Sequence, residues 1–433
     1  MSANEEAPAR FYWLPPGARP PVPLPKRQEL IFLLVGTTFL FSGYDLNIYG
    51  MAIPQIQHSL NIPENAVGPI VAQFRLATLG ALIFALSADI FGRRRLLLFT
   101  LFFEAILTAA TAFVQTRAEF VAVQIAARVF GYTEEMLCIV VIAEEIDARV
   151  RGWATGVMGA MNSTGAGLAA LVFAAVNYLP FGWRSLYFFG GSVLLLLAYY
   201  RRLLPETKRF EVRKEEVEAM QSKVRAGADT LRRLALEYPV RLATLLIALF
   251  CFGLAIAPST VLMSKYLQQT HHYTPGGVAL LFVSGGLVAV VGNILAGRTS
   301  DHVGRRTVIL AGMVLTASAF AVFFSGYDGV FLPVIWIVAM YGYFSADALL
   351  SGIAVELFPT SYRATAGGLR YLSVILGGAL GLTLEGRLYD LLGGHGPAIS
   401  ASLAIMPVAM IAVLLLPEPA GRVLEDIAPE RNV

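Results

Sequence analysis

Long apolar runs separated by short polar breaks dominate the chain. Twelve can be marked, at roughly 29–53, 66–87, 96–115, 119–143, 153–178, 184–204, 242–266, 275–297, 307–325, 331–354, 365–385 and 397–416. Most are about 20 residues long, the length of α-helix that crosses a hydrocarbon layer about 30 Å thick. The pattern predicts an all-α integral membrane protein with twelve transmembrane helices. Composition strengthens this and excludes a soluble globular class. Charged residues are 15% of the 433, against about 25% in soluble domains, too few to cover a water-facing surface.

The polar breaks carry the topology. With the N-terminus inside, the inner breaks receive Lys26, Arg27, "GRRR" (92–95), "ARVR" (148–151), the 201–241 segment, "GRR" (304–306), Arg363 and Arg422. The outer breaks and their margins hold Arg117, Arg184, Lys265 and Arg387. Cytoplasmic loops collect Lys and Arg, so both termini are expected in the cytoplasm of a cell-membrane protein. The net charge of +3 follows from that bias and implies no nucleic-acid partner. The first run is too long for a cleavable signal. Prolines at 15, 16, 20, 21, 23 and 25 predict an extended N-terminal tail over 1–28 rather than a folded domain. Cys138 and Cys251 both fall inside runs, which argues against a disulfide framework.

The breaks also repeat. "ADIFGRR" at 88–94 returns as "SDHVGRR" at 300–306; Glu144 and Arg151 return as Glu356 and Arg363; Pro205 and Glu206 return as Pro417 and Glu418. Every pair is separated by 212 positions. The expected organisation is a tail (1–28), a six-helix bundle (29–207), a charged cytoplasmic helical linker (208–241), a second six-helix bundle (242–417) and a short cytoplasmic tail (418–433). The two bundles are expected to be pseudo-symmetric.

These motifs carry a family resemblance. D-x-x-G-R-R after the second and eighth spans resembles the loop signature of the major facilitator superfamily. "ELFPTSYR" (356–363), "PETKR" and "PEPAGRVLEDI" look like its sugar-porter and metabolite:proton-symporter branches. "GYDLNIYGMAIP" (43–54) is similar to the first-span motif of aromatic-acid:proton symporters, with Ser42 where those usually carry a second acid. The resemblance implies alternating access around a midplane site shared by two halves. It further assigns Asp89, Arg93 and Glu144, with their repeats Asp301, Arg305 and Glu356, to a cytoplasmic gating latch. The alternative for these arginines is that they only set topology.

Ionisable groups at membrane depth are costly and therefore functional candidates. They are Asp45, Arg75, Glu104, Arg128, Glu134, Glu135, Asp347 and Arg370. At 1.5 Å per residue, Asp45 lies roughly 12 Å, and Arg75 and Arg128 roughly 14 Å, from the outer ends of their spans. One acid and two bases thus share a level in the first half. By resemblance to the sugar porters, Asp45 and Arg128 match the proton-coupling pair. Arg128 and Glu135 are seven residues apart, on one helical face, and the 212 offset maps Glu135 onto Asp347. The candidate proton-coupling set is Asp45, Arg128 and Glu135. The candidate substrate-binding set is Arg75, Arg128, Tyr44, Glu135, Tyr341, Tyr343 and Asp347. Static packing pairs and ordinary aromatic packing are the competing explanations. "HH" at 271–272 reads as solvated outer-loop histidines. The sequence shows no nucleotide-binding loop, metal-ligand spacing or Ser/His/Asp arrangement, so neither enzyme nor cofactor is expected. The proton gradient would be the driving force.

The expected function is a proton-coupled symporter of a monocarboxylate or aromatic acid, a monomer in the lipid bilayer moving a small molecule together with protons. A sugar or polyol porter is the first alternative, and a drug or cation exporter using Glu134, Glu135 and Asp347 the second.

Overall fold

The computed structural model describes residues 11–15, 19–91, 93–146, 150–201 and 229–419. Within them the chain is a succession of α-helices: α1 (Lys26–Leu60), α2 (Val67–Phe91), α3 (Arg93–Thr111), α4 (Arg117–Glu145), α5 (Arg151–Ala174), α6 (Trp183–Tyr200), α7 (Pro239–Gln269), α8 (Pro275–Val303), α9 (Arg305–Phe323), α10 (Leu332–Glu356), α11 (Arg363–Leu392), α12 (His395–Leu403) and α13 (Met406–Leu415). The first eleven apolar runs each fall on one helix. The twelfth is broken, because Pro407 cannot donate to the carbonyl one turn back; α12 ends at Leu403 and α13 restarts around that proline.

Nine segments among the described residues are long and apolar enough to cross a membrane. Of the remaining runs, α4 carries Arg128, Glu134 and Glu135 mid-helix and α3 carries Glu104. In α4 the charges that lower the apolarity are site candidates; in α3 the arginines of its first turn contribute as well, and in α6 Arg184 does. Helix starts are built by local chemistry. Thr116 accepts from the Glu119 amide at 3.2 Å, and the Glu119 carboxylate accepts from the Thr116 amide at 3.2 Å, a capping box. Thr274 caps α8 ahead of Pro275.

The chain divides into two units: Met1–Asn61 with Ala77–Met220, and Ile62–Leu76 with Gln221–Val433. The short 3-10 turn Glu64–Ala66 and the first residues of α2 therefore group with the second unit. Each unit contains the same helix pairings: α1 on α5, α3 on α4 and α1 on α6 in the first; α7 on α11, α9 on α10 and α7 on α13 in the second.

Glycines make the α1–α5 and α7–α11 crossings so close. A Cβ on Gly165 would stand 1.8 Å from the Leu40 carbonyl oxygen, and one on Gly43 would stand 2.2 Å from that of Asn162. In the second unit, Gly377 is set against the Phe250 carbonyl and Gly253 against that of Val374. Gly165 and Gly377 are 212 positions apart, the repeat offset of the loop motifs.

The N-terminal segment is seated rather than free of the fold. Phe11 and Leu24 are fully buried, and Leu14 nearly so, in a cluster with α1, α3, α4 and α5. Phe11 meets Phe32 and Trp153 edge-on, and its amide donates to Glu29 at 2.9 Å. The segment turns at Phe11–Leu14, where the Leu14 amide donates to the Phe11 carbonyl at 3.0 Å, and its apolar side chains dock it. Of the charged linker, residues 229–237 are helical, and 202–228 lie outside the described residues.

Candidate functional site

In the first unit the site is built on α1, α3, α4 and α6. Asp45 is 3% exposed, and its Oδ1 has no hydrogen-bond partner among the described residues. Its charged neighbour is Arg128, with the Thr108 hydroxyl nearby. Arg128 is itself buried and hydrogen-bonded with Tyr132. An acid on α1 and a base on α4 are thus brought together, while the Gly43 contact fixes α1 against α5 two residues away. Tyr44 is turned to α6: it is fully buried, donates to the Leu186 carbonyl at 3.0 Å and packs on Gly190.

Glu134 and Glu135 part company, as a helix requires of adjacent residues. Glu135 is half-buried. Glu134 is fully buried in an ion pair with Arg201, accepts from Thr100 at 2.9 Å, and its other oxygen lies 3.2 Å from Cys138 Sγ. Arg201 also reaches Cys138 at 3.3 Å. In the sequence Arg201 belongs to the inner basic segment; the structure buries it completely. Glu134 is therefore committed to a cation within the protein, which removes one of the three carboxylates of the cation-export alternative. Glu104 is buried against Gly131, and its Oε2 has no partner among the described residues.

The second unit assembles another set. Depth alone puts Arg75 at one level with Asp45 and Arg128. Instead it belongs to the segment that groups with the second unit. Its guanidinium lies where a Cβ on Gly378 of α11 would come within 2.8 Å. Arg75, Arg370 and Asp347 all act electrostatically on Tyr343, and Arg370 on Asp347. Tyr343 stacks on Phe252 at 6.2 Å and 15°. Tyr341, two residues away and so on another face, packs on Gly292 of α8. In the sequence Arg370 is only an intramembrane charge; its juxtaposition with Asp347 needs the α10–α11 packing.

Of the residues expected to gate, the side chains of Asp89, Arg93 and Glu144 lie outside the described residues. Their repeats form one cluster in the second unit. Arg305 pairs with Asp301 at 2.9 Å and grips Glu356 through two nitrogens, each at 3.1 Å. Glu418, from the end of the repeat motif, accepts from the amides of Arg305 and Arg306 at 2.8 and 2.9 Å, a carboxylate on the positive end of α9. Gly304, at φ +107°, makes the turn, and a Cβ there would sit 3.0 Å from Glu418 Oε2. His271, expected to be solvated, is 9% exposed, edge-on to Tyr266 and 3.4 Å from Asp328.

The sequence matches the profile described as Major Facilitator Superfamily over residues 35–275 and 245–428. The chain belongs to the Major Facilitator Superfamily. It is a multi-pass membrane transporter of small molecules, not an enzyme, and the resemblance carried by the loop motifs is borne out. Among similar proteins are a gallate transporter of Pseudomonas putida, 26% identical and covering 89% of this chain and 92% of the relative, and a 3-(3-hydroxy-phenyl)propionate transporter of Escherichia coli (strain K12), 25% identical and covering 91% and 96%. Solved structures of like fold include a bacterial homologue of the human lysosomal transporter Spinster (TM-score 0.76, 14% identity, 90% of this chain and 96% of that one) and a D-xylose–proton symporter (TM-score 0.72, 17% identity, 91% and 99%).

Proposed function

We propose that the protein is a proton-coupled symporter of organic carboxylates, aromatic acids above all, working by alternating access with both termini in the cytoplasm. The observation that carries this is the buried Asp45, with one oxygen unpartnered among the described residues, beside the buried Arg128. A buried arginine offers a planar fork to a substrate carboxylate. A buried acid beside it can exchange a proton for that contact: protonated Asp45 leaves Arg128 to the substrate, and ionised Asp45 takes it back. Relatives that carry gallate and hydroxyphenylpropionate support the substrate class. Within the second unit, Arg75, Tyr343, Asp347 and Arg370 form a further candidate substrate-binding set, and within the first, Glu135 is a candidate beside Arg128. The Asp301–Arg305–Glu356 cluster supports a gating role on the cytoplasmic side.

The test is uptake of radiolabelled benzoate, gallate and nicotinate into proteoliposomes. A pH gradient is expected to drive accumulation of at least one of them. Asp45→Asn is expected to abolish accumulation while labelled-for-unlabelled exchange continues, because exchange moves no net proton. Uphill uptake surviving in Asp45→Asn would remove Asp45 from the mechanism.

A further inference from the structure

A second constellation, wholly inside the second unit, plays no part in the mechanism above. Lys265, near the end of α7, has a side chain 1% exposed, and its Nζ is 2.6 Å from Glu64 Oε2. The same carboxylate oxygen is 2.9 Å from His395 Nε2, and His395 Nδ1 is 2.6 Å from Glu385 Oε1. Glu385 is fully buried; its Oε2 has no hydrogen-bond partner among the described residues and lies against Gly68. Two basic groups and a buried acid are thus fixed by α7, α11 and the start of α12, while Glu64 comes from the 3-10 turn Glu64–Ala66. Glu64 is the member that water reaches, with a side chain 37% exposed.

Glu64, Lys265 and His395 line a cavity of about 450 Å³ whose other walls include Tyr266, Tyr389, Gln269 and Ser400; Glu385 stands behind His395. The cavity offers flat aromatic surface beside a buried lysine and a partly buried histidine, and the carboxylate filling that position belongs to a short turn. Another carboxylate can take Glu64's place without stranding the lysine, since one anion replaces another and the charge balance is kept. A neutral solute cannot, because it would leave a buried cation uncompensated. The turn is otherwise held by Asn65 donating to Asp390 at 2.9 Å and by the contact of Gly386 with the Asn65 carbonyl.

We propose that this cavity is a capture site for organic carboxylates, in which the incoming carboxylate displaces Glu64 from Lys265 and His395 and so loosens the 64–66 turn from α7 and α12. The proposal rests on the organic-acid function above and deepens it by adding a site apart from Arg128, where the substrate itself undoes an ion pair.

The experiment uses the full chain with Ser400→Cys as reporter. The two native cysteines are buried and are kept. A methanethiosulfonate reagent labels the reporter in the presence of benzoate or of benzyl alcohol. Benzoate is expected to slow labelling and benzyl alcohol to leave it unchanged. Glu64→Gln, which removes the competing charge, is expected to lower the half-protecting benzoate concentration about ten-fold, equivalent to about 1.4 kcal/mol. Lys265→Gln is expected to abolish protection, and Lys265→Arg to retain it. An unchanged half-protecting concentration in Glu64→Gln, protection persisting in Lys265→Gln, or equal protection by benzyl alcohol would each overturn the proposal; the first stands even where the Lys265 variants fail to fold. Protection without uptake of any of the three acids would refute the transport substrate and leave the capture site. Uptake without protection would refute the capture site alone.

Discussion

Removing the charge of Arg201 separates a structural ion pair from a working one. Glu134 and Arg201 have side chains 0% and 1% exposed. In Arg201→Met the Glu134 carboxylate keeps the Thr100 hydroxyl and the Cys138 thiol as hydrogen-bonding neighbours and has the acid Glu104 nearby. Removing one partner of a buried pair costs about 3–5 kcal/mol, whereas replacing both with uncharged groups of similar volume is close to neutral. Glu134→Gln leaves Arg201 buried against Cys138 with Glu104 as its nearby acid and belongs to the lower end of the same range. Arg201→Met/Glu134→Gln relieves both charges at once, so its loss should be about 1–2 kcal/mol, the cost of imperfectly paired polar groups. The expected coupling between the sites is therefore about 4 kcal/mol or more, far above the error of additivity for independent positions. Reversible unfolding of the purified protein in mixed micelles, with denaturing detergent as the variable, measures all four corners of the cycle. Additive losses would refute the buried pair. The double variant should still accumulate substrate against its gradient, because the pair is assigned no proton; loss of pH-driven uptake in a well-folded double variant would place Glu134 in the transport mechanism.

Two further perturbations bear on the site and on the Asp301–Arg305–Glu356–Glu418 cluster of the second unit. Arg128→Lys should raise KM for carboxylates at least ten-fold and leave any neutral solute unaffected, since an ammonium lacks the two-pronged grip of a guanidinium; uptake kinetics decide it, and an unchanged carboxylate KM would take Arg128 out of the binding site. Gly304→Ala places a Cβ at φ +107° and against Glu418, so it should destabilise the second unit by about 1–3 kcal/mol, read as a lower unfolding midpoint; wild-type stability would show that the turn tolerates a side chain.

Much of this was legible because a bilayer imposes few solutions on a chain. Twelve apolar runs and three motif pairs at one offset were enough to mark the helices and the duplication. Depth put Asp45, Arg75 and Arg128 at one level, because charges in lipid are rare, and the resemblance to the sugar porters singled out Asp45 and Arg128 as the pair. The surroundings of Arg75 were not legible. Depth fixes height along a helix and says nothing about azimuth, and the start of α2 groups with the second unit. Arg201 was hidden for the opposite reason: at the end of an apolar run an arginine reads as a topology signal, and only packing shows that it turns inward to Glu134. The Lys265–Glu64–His395–Glu385 set was illegible because its members are 120 to 331 positions from one another or adjacent only through the α11–α12 turn. One signal was available: Glu385 is an acid at the end of the run at 365–385, in "LTLEGRLYD".

The bond from Glu418 to the first amides of α9 has a consequence for how the protein is made. The chain is synthesised from its N-terminus, so α9 is complete about a hundred residues before its cap exists. Throughout that interval, while α10 to α13 are being threaded into the bilayer, the amides of Arg305 and Arg306 must be satisfied by water or by a surrogate anion. The Asp301–Arg305–Glu356 cluster can close once α10 is in place, but its last carboxylate arrives only after α13 has been inserted. Completion of the second unit is thereby tied to the final membrane crossing, and a chain stalled or cut before residue 418 would carry an open helix end as a mark of its incompleteness.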